Sequence, residues 1–115
     1  FFPLAFTGVC TAELKAFCQD FGRFQSAATA VLPISVDAVP SLKAFRREQG
    51  MTVHLLSDFK RTVSRSYGVL REQDFFSERA YFLVDTRGIL RWAHVEASLE
   101  DRRDDAELLQ QIGAL

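Results

Sequence analysis

The sequence has few of the residues that cross-link or break a fold, with two cysteines, three prolines and six glycines among 115 residues. Two cysteines cannot build a disulfide framework, which favours a reducing compartment, and we expect a cytoplasmic protein. No apolar run approaches the roughly 20 residues that a membrane-spanning helix needs. A net charge of −1, from 14 basic and 15 acidic side chains, indicates no basic face. We therefore expect neither a membrane nor a nucleic acid as a partner.

Apolar residues are plentiful, since they make up 48% of the chain and eleven residues are Phe. At this length one domain buries roughly two-thirds of the surface that its unfolded chain exposes. No repeat, low-complexity tract or Pro/Gly linker divides the chain, so we predict a single domain over residues 1–115. The opening Phe1-Phe2-Pro3 is typical of a strand already under way. We therefore expect the domain to be N-terminally truncated, with its upstream strands missing.

Hydrophobic periodicity predicts five strands and four helices. The strands are predicted at residues 1–5, 30–37, 52–56, 79–84 and 89–95, the last two joined by Asp85-Thr86-Arg87-Gly88 as a hairpin. The helices are predicted from Cys10 to the region of Gly22 or Ser26, from Asp37 to Gly50, from Ser57 to Gly68, and from Arg102 to Ile112. The order β-α-β-α-β-α-β-β-α predicts an α/β, thioredoxin-like fold with helices flanking a mixed central sheet. The predicted inward side chains are Leu14, Phe17, Cys18 and Phe21 in the first helix and Ala106, Leu109 and Ile112 in the last.

Cys10 is the first candidate for chemistry. It follows a strand and a short loop and falls in the first turn of a predicted helix, where free amides and the helix dipole favour a thiolate. Thr7, three residues earlier, is placed to bring its hydroxyl beside that sulfur. The alternative is a buried cysteine that acts only as a small hydrophobic side chain.

The residues around Cys10 carry a family resemblance. The segment Pro3-Leu4-Ala5-Phe6-Thr7-Gly8-Val9-Cys10 resembles the Pro-x-x-x-Thr-x-x-Cys active-site motif of the peroxiredoxins, the AhpC/TSA family. The similarity continues through Ile34-Ser35-Val36-Asp37, Leu55-Leu56-Ser57-Asp58 and Tyr67-Gly68-Val69, which match strand and helix boundaries of that family. The segment of peroxiredoxins that carries their second active-site arginine is similar to a further stretch of this chain. That stretch is Arg79-Ala80-Tyr81-Phe82-Leu83-Val84-Asp85, followed by Gly88-Ile89-Leu90-Arg91.

The resemblance implies a thiol-dependent peroxidase that uses no metal or other cofactor. Cys10 would be the nucleophile that attacks hydrogen peroxide or an organic hydroperoxide and becomes a sulfenic acid. Thr7 would hold the peroxide, and Arg79 would stabilise the thiolate and orient the substrate. Pro3 would shield the site from water, and Glu13 would position an arginine. The alternative for Glu13 is an ordinary acid in the first turns of a helix.

The cysteine pattern resembles the one-cysteine, alkyl hydroperoxide reductase E-like branch. The branch similar to bacterioferritin-comigratory proteins keeps a resolving cysteine where this chain has Lys15, and the typical two-cysteine branch has one after the position of Cys18. Cys18 itself lies about 12 Å from Cys10 along a helix, which is too far for a disulfide unless the helix unwinds. The resemblance therefore implies an external thiol or thioredoxin-like reductant, and a homodimer or higher homo-oligomer.

The remaining features are weaker. His54 and His94 lie 40 residues apart without the paired spacing of a metal site, so we predict no bound metal. Phe75-Phe76 is interpreted as a wall of the substrate pocket, a dimer contact or an anchor of its loop. The alternative to a peroxidase is a catalytically silent thioredoxin-fold domain that senses oxidants or binds a protein.

Overall fold

The computed structural model describes residues 1–115, which form five helices and six strands. The helices are α1 (Gly8–Gln19), α2 (Phe21–Ser26), α3 (Val39–Gln49), α4 (Thr62–Ser66) and α5 (Asp105–Gly113). The strands are β1 (Ile34–Ser35), β2 (Leu56–Ser57), β3 (Leu70–Arg71), β4 (Phe76–Ser77), β5 (Ala80–Val84) and β6 (Leu90–Val95). None of the helices combines the length and the apolar character that crossing a membrane would require.

The first two residues join two strand ladders into one layer. β1 pairs in parallel with β2, and β5 pairs antiparallel with β6. Between them, the Phe2 N–H donates to the Ile34 carbonyl at 2.9 Å and the Ala80 N–H donates to the Phe1 carbonyl at 3.1 Å. The backbone of Phe1 and Phe2 therefore lies between β1 and β5. This mixed layer, flanked by helices, is the predicted α/β arrangement.

The predicted strands at residues 1–5 and 30–37 are too long. After Phe2 the chain bends and turns, because Pro3 has no N–H with which to continue a ladder. The second strand is confined to β1, since Pro33 immediately before it accepts a bond from β2 but has no N–H to donate.

The other strand predictions have mixed outcomes. The strand predicted at residues 52–56 lies instead at β2 (Leu56–Ser57), where it pairs with β1. The closing hairpin is confirmed, and the Asp85 carboxylate fixes its turn by accepting from the Arg87 and Ile89 N–H groups. The short β3–β4 hairpin was not predicted from the sequence; it lies in the loop that carries Phe75-Phe76.

The first and last helices differ from the prediction at their ends. The first breaks at Asp20 into α1 and α2, which leaves Phe21 exposed rather than inward. The last begins at Asp105, because the Asp104 carboxylate caps it by accepting from the Glu107 N–H at 2.8 Å. That start places Leu108 in the core and leaves Ala106 exposed, so the predicted inward position of Ala106 is wrong.

Of the two middle helices, α3 begins and ends close to its predicted bounds, whereas α4 is shorter than predicted. α3 ends at Gly50, whose φ of +62° is the left-handed conformation that glycine adopts without strain. α4 begins later than predicted, at Thr62, but Asp58 still accepts hydrogen bonds from the N–H groups of Val63 and Ser64.

The hydrophobic core lies between α1, α3 and the strand layer. Its most buried apolar side chains come from elements distant in sequence and include Phe2, Leu14, Phe45 and Val53, each no more than 2% exposed. Cys10 belongs to the same cluster. The N-terminal end of α1 is therefore held against the core on one side, which fixes the position of the candidate nucleophile.

Candidate active site

The N-terminus of α1 positions Cys10. Thr7 is the N-cap residue, and the first bond of the helix runs from the Thr11 N–H to the Thr7 carbonyl at 2.9 Å. The N–H groups of Gly8, Val9 and Cys10 precede that bond and have no intrahelical acceptor. Cys10 is a free thiol, only 2% exposed, and its sulfur lies where the helix dipole favours negative charge.

Arg79, the residue before β5, brings a buried positive charge to the sulfur. Its Nη2 lies 3.2 Å from Cys10 Sγ, and its Nη1 donates to Glu13 Oε1 at 2.7 Å. Nε and Nη2 also donate to the Leu99 carbonyl, at 3.2 and 3.0 Å. Burial by itself lowers the pKa of Arg79, but the charge of Glu13 and the bond to Cys10 outweigh it, so the pKa is raised. Arg79 therefore stays a cation beside the thiol.

Glu13 lies one turn after Cys10 in α1 and is buried with Arg79. Its two oxygens have different partners: Oε1 accepts from Arg79, and Oε2 accepts from the Tyr81 hydroxyl. The Tyr81 oxygen in turn accepts from the Arg103 N–H at 3.1 Å. Burial and the neighbouring Glu13 carboxylate raise the pKa of Tyr81 far above its ordinary range, so the phenol remains a donor.

A cavity of about 230 Å³ opens over the sulfur. Pro3, Thr7, Cys10 and Arg79 all line it, so the structure brings together four of the five predicted site residues in one wall, with Glu13 directly behind Arg79. Leu4, Gly8, Val9, Phe76, Leu99 and Glu100 complete the lining. Pro3 is buried and closes part of this wall. The volume suits a small molecule such as a peroxide with a short substituent.

Thr7 donates its hydroxyl hydrogen to the Leu4 carbonyl at 2.7 Å. Because the proton is used there, the Thr7 Oγ1 keeps a lone pair with which to accept a hydrogen bond from a molecule in the cavity. The hydroxyl therefore presents an acceptor to the site, and Arg79 on the other side presents donors.

The loop that carries the motif is held to β1. The Asp37 carboxylate accepts from the Ala5 N–H at 2.9 Å and from the Ser35 hydroxyl at 2.7 Å. Phe6 adopts a φ of +65°, and its ring packs on Phe45 with the centroids 4.8 Å apart. These contacts hold the strained turn immediately before Thr7, so they support its placement at the cavity.

The second cysteine and the two histidines lie away from this cavity. Cys18 is partly buried and packs against the core cluster. His54 lines a second, mainly apolar cavity of about 380 Å³ beside α2, and His94 on β6 lies 3.0 Å from Glu96. No group of three or more His, Cys, Asp or Glu side chains in residues 1–115 is arranged to hold a metal. Of the Phe pair, Phe76 lines the active cavity whereas Phe75 is 65% exposed.

Sequence reasoning missed three groups that hold the site: the Tyr81 hydroxyl, the Leu99 carbonyl and the Asp37 carboxylate. Tyr81 follows Arg79 by two residues in a strand, so the alternation of side chains was a signal that both reach the same face. A backbone carbonyl such as that of Leu99 carries no residue signature. Asp37 was interpreted as a helix start, and the structure instead uses its side chain to hold Ala5.

Comparisons with known proteins identify the family of the chain. The family described as "AhpC/TSA family" matches residues 1–93. Alkyl hydroperoxide reductase E of Mycobacterium tuberculosis is 41% identical over 104 residues, covering 89% of this chain and 68% of the relative. Peroxiredoxin TSA1 of Saccharomyces cerevisiae is 38% identical over 98 residues, covering 79% of this chain and 50% of the relative.

Solved structures give the same result for the fold. The crystal structure of Enterococcus faecalis AhpC superposes with a TM-score of 0.93 at 25% identity, covering 99% of this chain and 70% of that one. The crystal structure of the reduced 2-Cys peroxiredoxin of Plasmodium vivax superposes with a TM-score of 0.89 at 32% identity. The match covers 99% of this chain and 62% of that one. The predicted thioredoxin-like fold is confirmed. The chain belongs to the AhpC/TSA family and is a peroxiredoxin, a thiol-dependent peroxidase.

Proposed function

We propose that Cys10 is the peroxidatic residue and that it reduces hydrogen peroxide or an organic hydroperoxide. The observation that carries this proposal is the 3.2 Å contact between Arg79 Nη2 and Cys10 Sγ at the floor of an open cavity. A cysteine becomes a nucleophile as its thiolate, which a neighbouring cation and a helix N-terminus both stabilise. The silent-domain alternative is not favoured, because the chain belongs to the AhpC/TSA family and its relatives are named as alkyl hydroperoxide reductase E and peroxiredoxin.

In the proposed reaction the Cys10 thiolate attacks one peroxide oxygen. An S–O bond forms as the O–O bond breaks, which gives a sulfenic acid and releases hydroxide or alkoxide. The leaving anion takes a proton and departs as water or an alcohol. Negative charge moves from sulfur to the leaving oxygen, so donors fixed near both atoms lower the barrier. Arg79 is placed to donate, and Thr7 Oγ1 is placed to accept from the peroxide hydrogen and hold it in line.

Two of the residues at the site have supporting roles in this proposal. Glu13 orients Arg79 through its Oε1. Pro3 keeps bulk water from the sulfur. Cys18 does not take part, and the sulfenic acid is reduced by an external thiol or a thioredoxin-like protein.

We also propose that the protein works in the cytoplasm as a homodimer or a higher homo-oligomer. The two free cysteines support a reducing compartment. Phe75, at the tip of the β3–β4 hairpin, is 65% exposed and offers an apolar contact to a second copy. Light scattering should show a smaller average mass for Phe75→Ser than for the unchanged protein. An unchanged mass would show that Phe75 does not contribute to a contact between copies of the chain.

Peroxide reduction at Cys10 is tested by stopped-flow fluorescence, with the single Trp92 as the reporter. Trp92 is partly buried against the core cluster, so it is expected to respond to a change at α1. Hydrogen peroxide should give a fast phase that Cys10→Ser abolishes and Cys18→Ser keeps. If Cys10→Ser keeps the phase and Cys18→Ser loses it, the assignment of the nucleophile is wrong.

A further inference from the structure

Tyr81 is connected to the active site although it does not line the cavity. Its hydroxyl donates to Glu13 Oε2 and accepts from the Arg103 N–H at 3.1 Å. The ring is partly buried and packs against the core cluster. A tyrosine that only filled space would leave its hydroxyl in water. The Tyr81 hydroxyl instead both donates and accepts a hydrogen bond within the protein.

The strand explains why Tyr81 reaches the same carboxylate as Arg79. Side chains two residues apart on a strand project from the same face. Arg79 and Tyr81 therefore both extend toward α1, where each takes one oxygen of Glu13. The buried carboxylate thus has a charged donor on one oxygen and a neutral donor on the other.

We propose that Tyr81 is a positioning residue for the peroxidase reaction: by holding Glu13 Oε2, it keeps Arg79 directed at Cys10. The inference rests on the proposed role of Cys10 as the nucleophile. Tyr81 is then the fourth side chain in a series of contacts that begins with Cys10, Arg79 and Glu13. The segment before α5 contacts this series twice. Its Arg103 N–H donates to the Tyr81 hydroxyl, and its Leu99 carbonyl accepts from Arg79.

The physical reason is competition for the charge of Arg79. A buried carboxylate that loses one of its donors carries the full cost of an unsatisfied charged oxygen. Glu13 would then rotate to share Arg79 between both its oxygens, or draw the guanidinium toward itself. Either movement weakens the contact between Arg79 and the Cys10 sulfur, so the sulfur loses its charged donor.

Removing the Tyr81 hydroxyl while keeping the ring separates positioning from packing. Tyr81→Phe should move the pH midpoint of Cys10 alkylation by iodoacetamide upward by about one unit, and slow peroxide reduction about tenfold near neutral pH. Tyr67→Phe is the matched control, because Tyr67 is 43% exposed and its ring lies among Phe1 and Phe82 rather than at the site. It should leave both measurements unchanged.

A double-mutant cycle tests whether Tyr81 acts through Glu13. In a Glu13→Gln background, Tyr81→Phe should shift the alkylation midpoint much less than it does alone, since there is no carboxylate left to hold. Equal shifts in the two backgrounds would overturn the proposal, as would a Tyr81→Phe protein that is folded by circular dichroism and matches Tyr67→Phe in both measurements.

The alkylation readout also keeps this proposal separate from the proposed function. It measures the state of the Cys10 thiol and needs no peroxide. A chain whose Cys10→Ser variant still consumed peroxide would disprove the assigned nucleophile. The alkylation cycle of Tyr81 and Glu13 would still show whether Tyr81 keeps Arg79 directed at the Cys10 sulfur in that chain.

Discussion

At the scale of single residues, Arg79 is unusual in serving three acceptors from a fully buried position. Its guanidinium donates to Cys10, to Glu13 and to the Leu99 carbonyl. A planar guanidinium has donors in fixed directions, whereas a lysine ammonium is a single point of charge. The site therefore depends on the shape of the cation as well as on its charge.

Replacement of Arg79 by Met should slow peroxide reduction by about 10²–10³-fold, since one charge-assisted donor beside the reacting atoms is lost. Arg79→Lys keeps the charge but cannot reach three acceptors, so its rate should lie between those of Met and Arg. The second-order rate constant with hydrogen peroxide is the measurement. Arg87→Met is the control, because Arg87 lies exposed in the hairpin turn. Equal rates for Arg79→Met and the unchanged protein would show that Arg79 does not contribute to peroxide reduction.

Replacement of Thr7 by Val should lower the rate by about 10–100-fold, because a hydrogen-bonding group to the substrate is lost while the shape is kept. Thr7→Ser retains a hydroxyl that can still donate to the Leu4 carbonyl and should keep most of the rate. The comparison of the two variants isolates the oxygen from the rest of the side chain. A Thr7→Val protein as active as Thr7→Ser would contradict a role for the hydroxyl in holding the peroxide.

The sequence predicts some groups of the site and not others. Side chains that belong to a motif can be predicted, whereas an isolated side chain or a backbone carbonyl cannot. Cys10, Thr7 and Arg79 stand in a motif with fixed spacing, so their common cavity could be expected. Tyr81 has no such motif, and its role depends on the depth at which its hydroxyl meets Glu13. The Leu99 carbonyl is a backbone group, and only the path of the chain after β6 places it beside Arg79.

At the scale of elements, two acidic side chains at the end of α1 and the start of α5 affect each other's ionisation. Asp20 caps the C-terminus of α1, and Asp105 begins α5 with a carboxyl that is only 5% exposed. Burial, and then the neighbouring Asp20 carboxyl, raise the pKa of Asp105 to about 7. The charges of Arg102 and Glu13 also face this group and act in opposite directions. Asp105 is therefore a buried carboxylic acid that ionises near neutral pH, and neither of its oxygens has a hydrogen-bond partner in the structure.

This pair predicts the pH dependence of stability. Since the pKa of Asp105 is about 7 in the folded chain and near 3.8 otherwise, the folded state holds more protons between these values. The free energy of unfolding should therefore fall as pH rises from about 4 to about 7. The lowered pKa of Asp20 acts only at the acid end of that range. Thermal unfolding of Asp105→Asn should show a flatter pH profile and a melting temperature several degrees higher at about pH 8.

Asp101→Asn is the control for this effect, because Asp101 is exposed in the loop before α5. Its melting profile should follow that of the unchanged protein. If Asp105→Asn and Asp101→Asn have the same pH profile, the Asp20–Asp105 pair does not set the stability of the contact between the helices.

The elements were predicted well where a cap or a turn is encoded locally. The β5–β6 hairpin and the end of α3 at Gly50 follow from turn and cap residues. The lengths of β1 and β2 do not, because a strand extends only as far as its neighbour offers hydrogen-bonding partners. The late start of α5, by contrast, is set by a local cap, because the Asp104 carboxylate accepts from the Glu107 N–H.

At the scale of the whole molecule, the site is assembled by long-range contacts. Arg79 and Cys10 are separated by 69 positions, and Arg79 and Glu13 by 66. They meet because Phe1 and Phe2 hold the start of β5 against the layer that supports α1. The Cys10 sulfur is therefore reached through the cavity, while Cys10 itself belongs to the buried core cluster.

This burial bears on how the enzyme is returned to its thiol form. A disulfide between Cys10 and Cys18 would require the first turns of α1 to unwind, since eight residues of helix span about 12 Å. The same helix buries Leu14 and Phe17, and removing each from the core costs roughly 1.5–3 kcal/mol. We therefore expect the sulfenic acid to persist until an external thiol attacks it.

Intact-mass spectrometry after one equivalent of hydrogen peroxide, with dimedone present, measures this outcome. The expected product is a single dimedone adduct on Cys10, with Cys18 still open to alkylation after denaturation. Cys18→Ser should give the same adduct in the same yield, because Cys18 packs against the core and not against the cavity. A loss of two hydrogens, with a peptide that joins Cys10 to Cys18, would instead show that α1 opens during turnover and that the chain carries its own resolving cysteine.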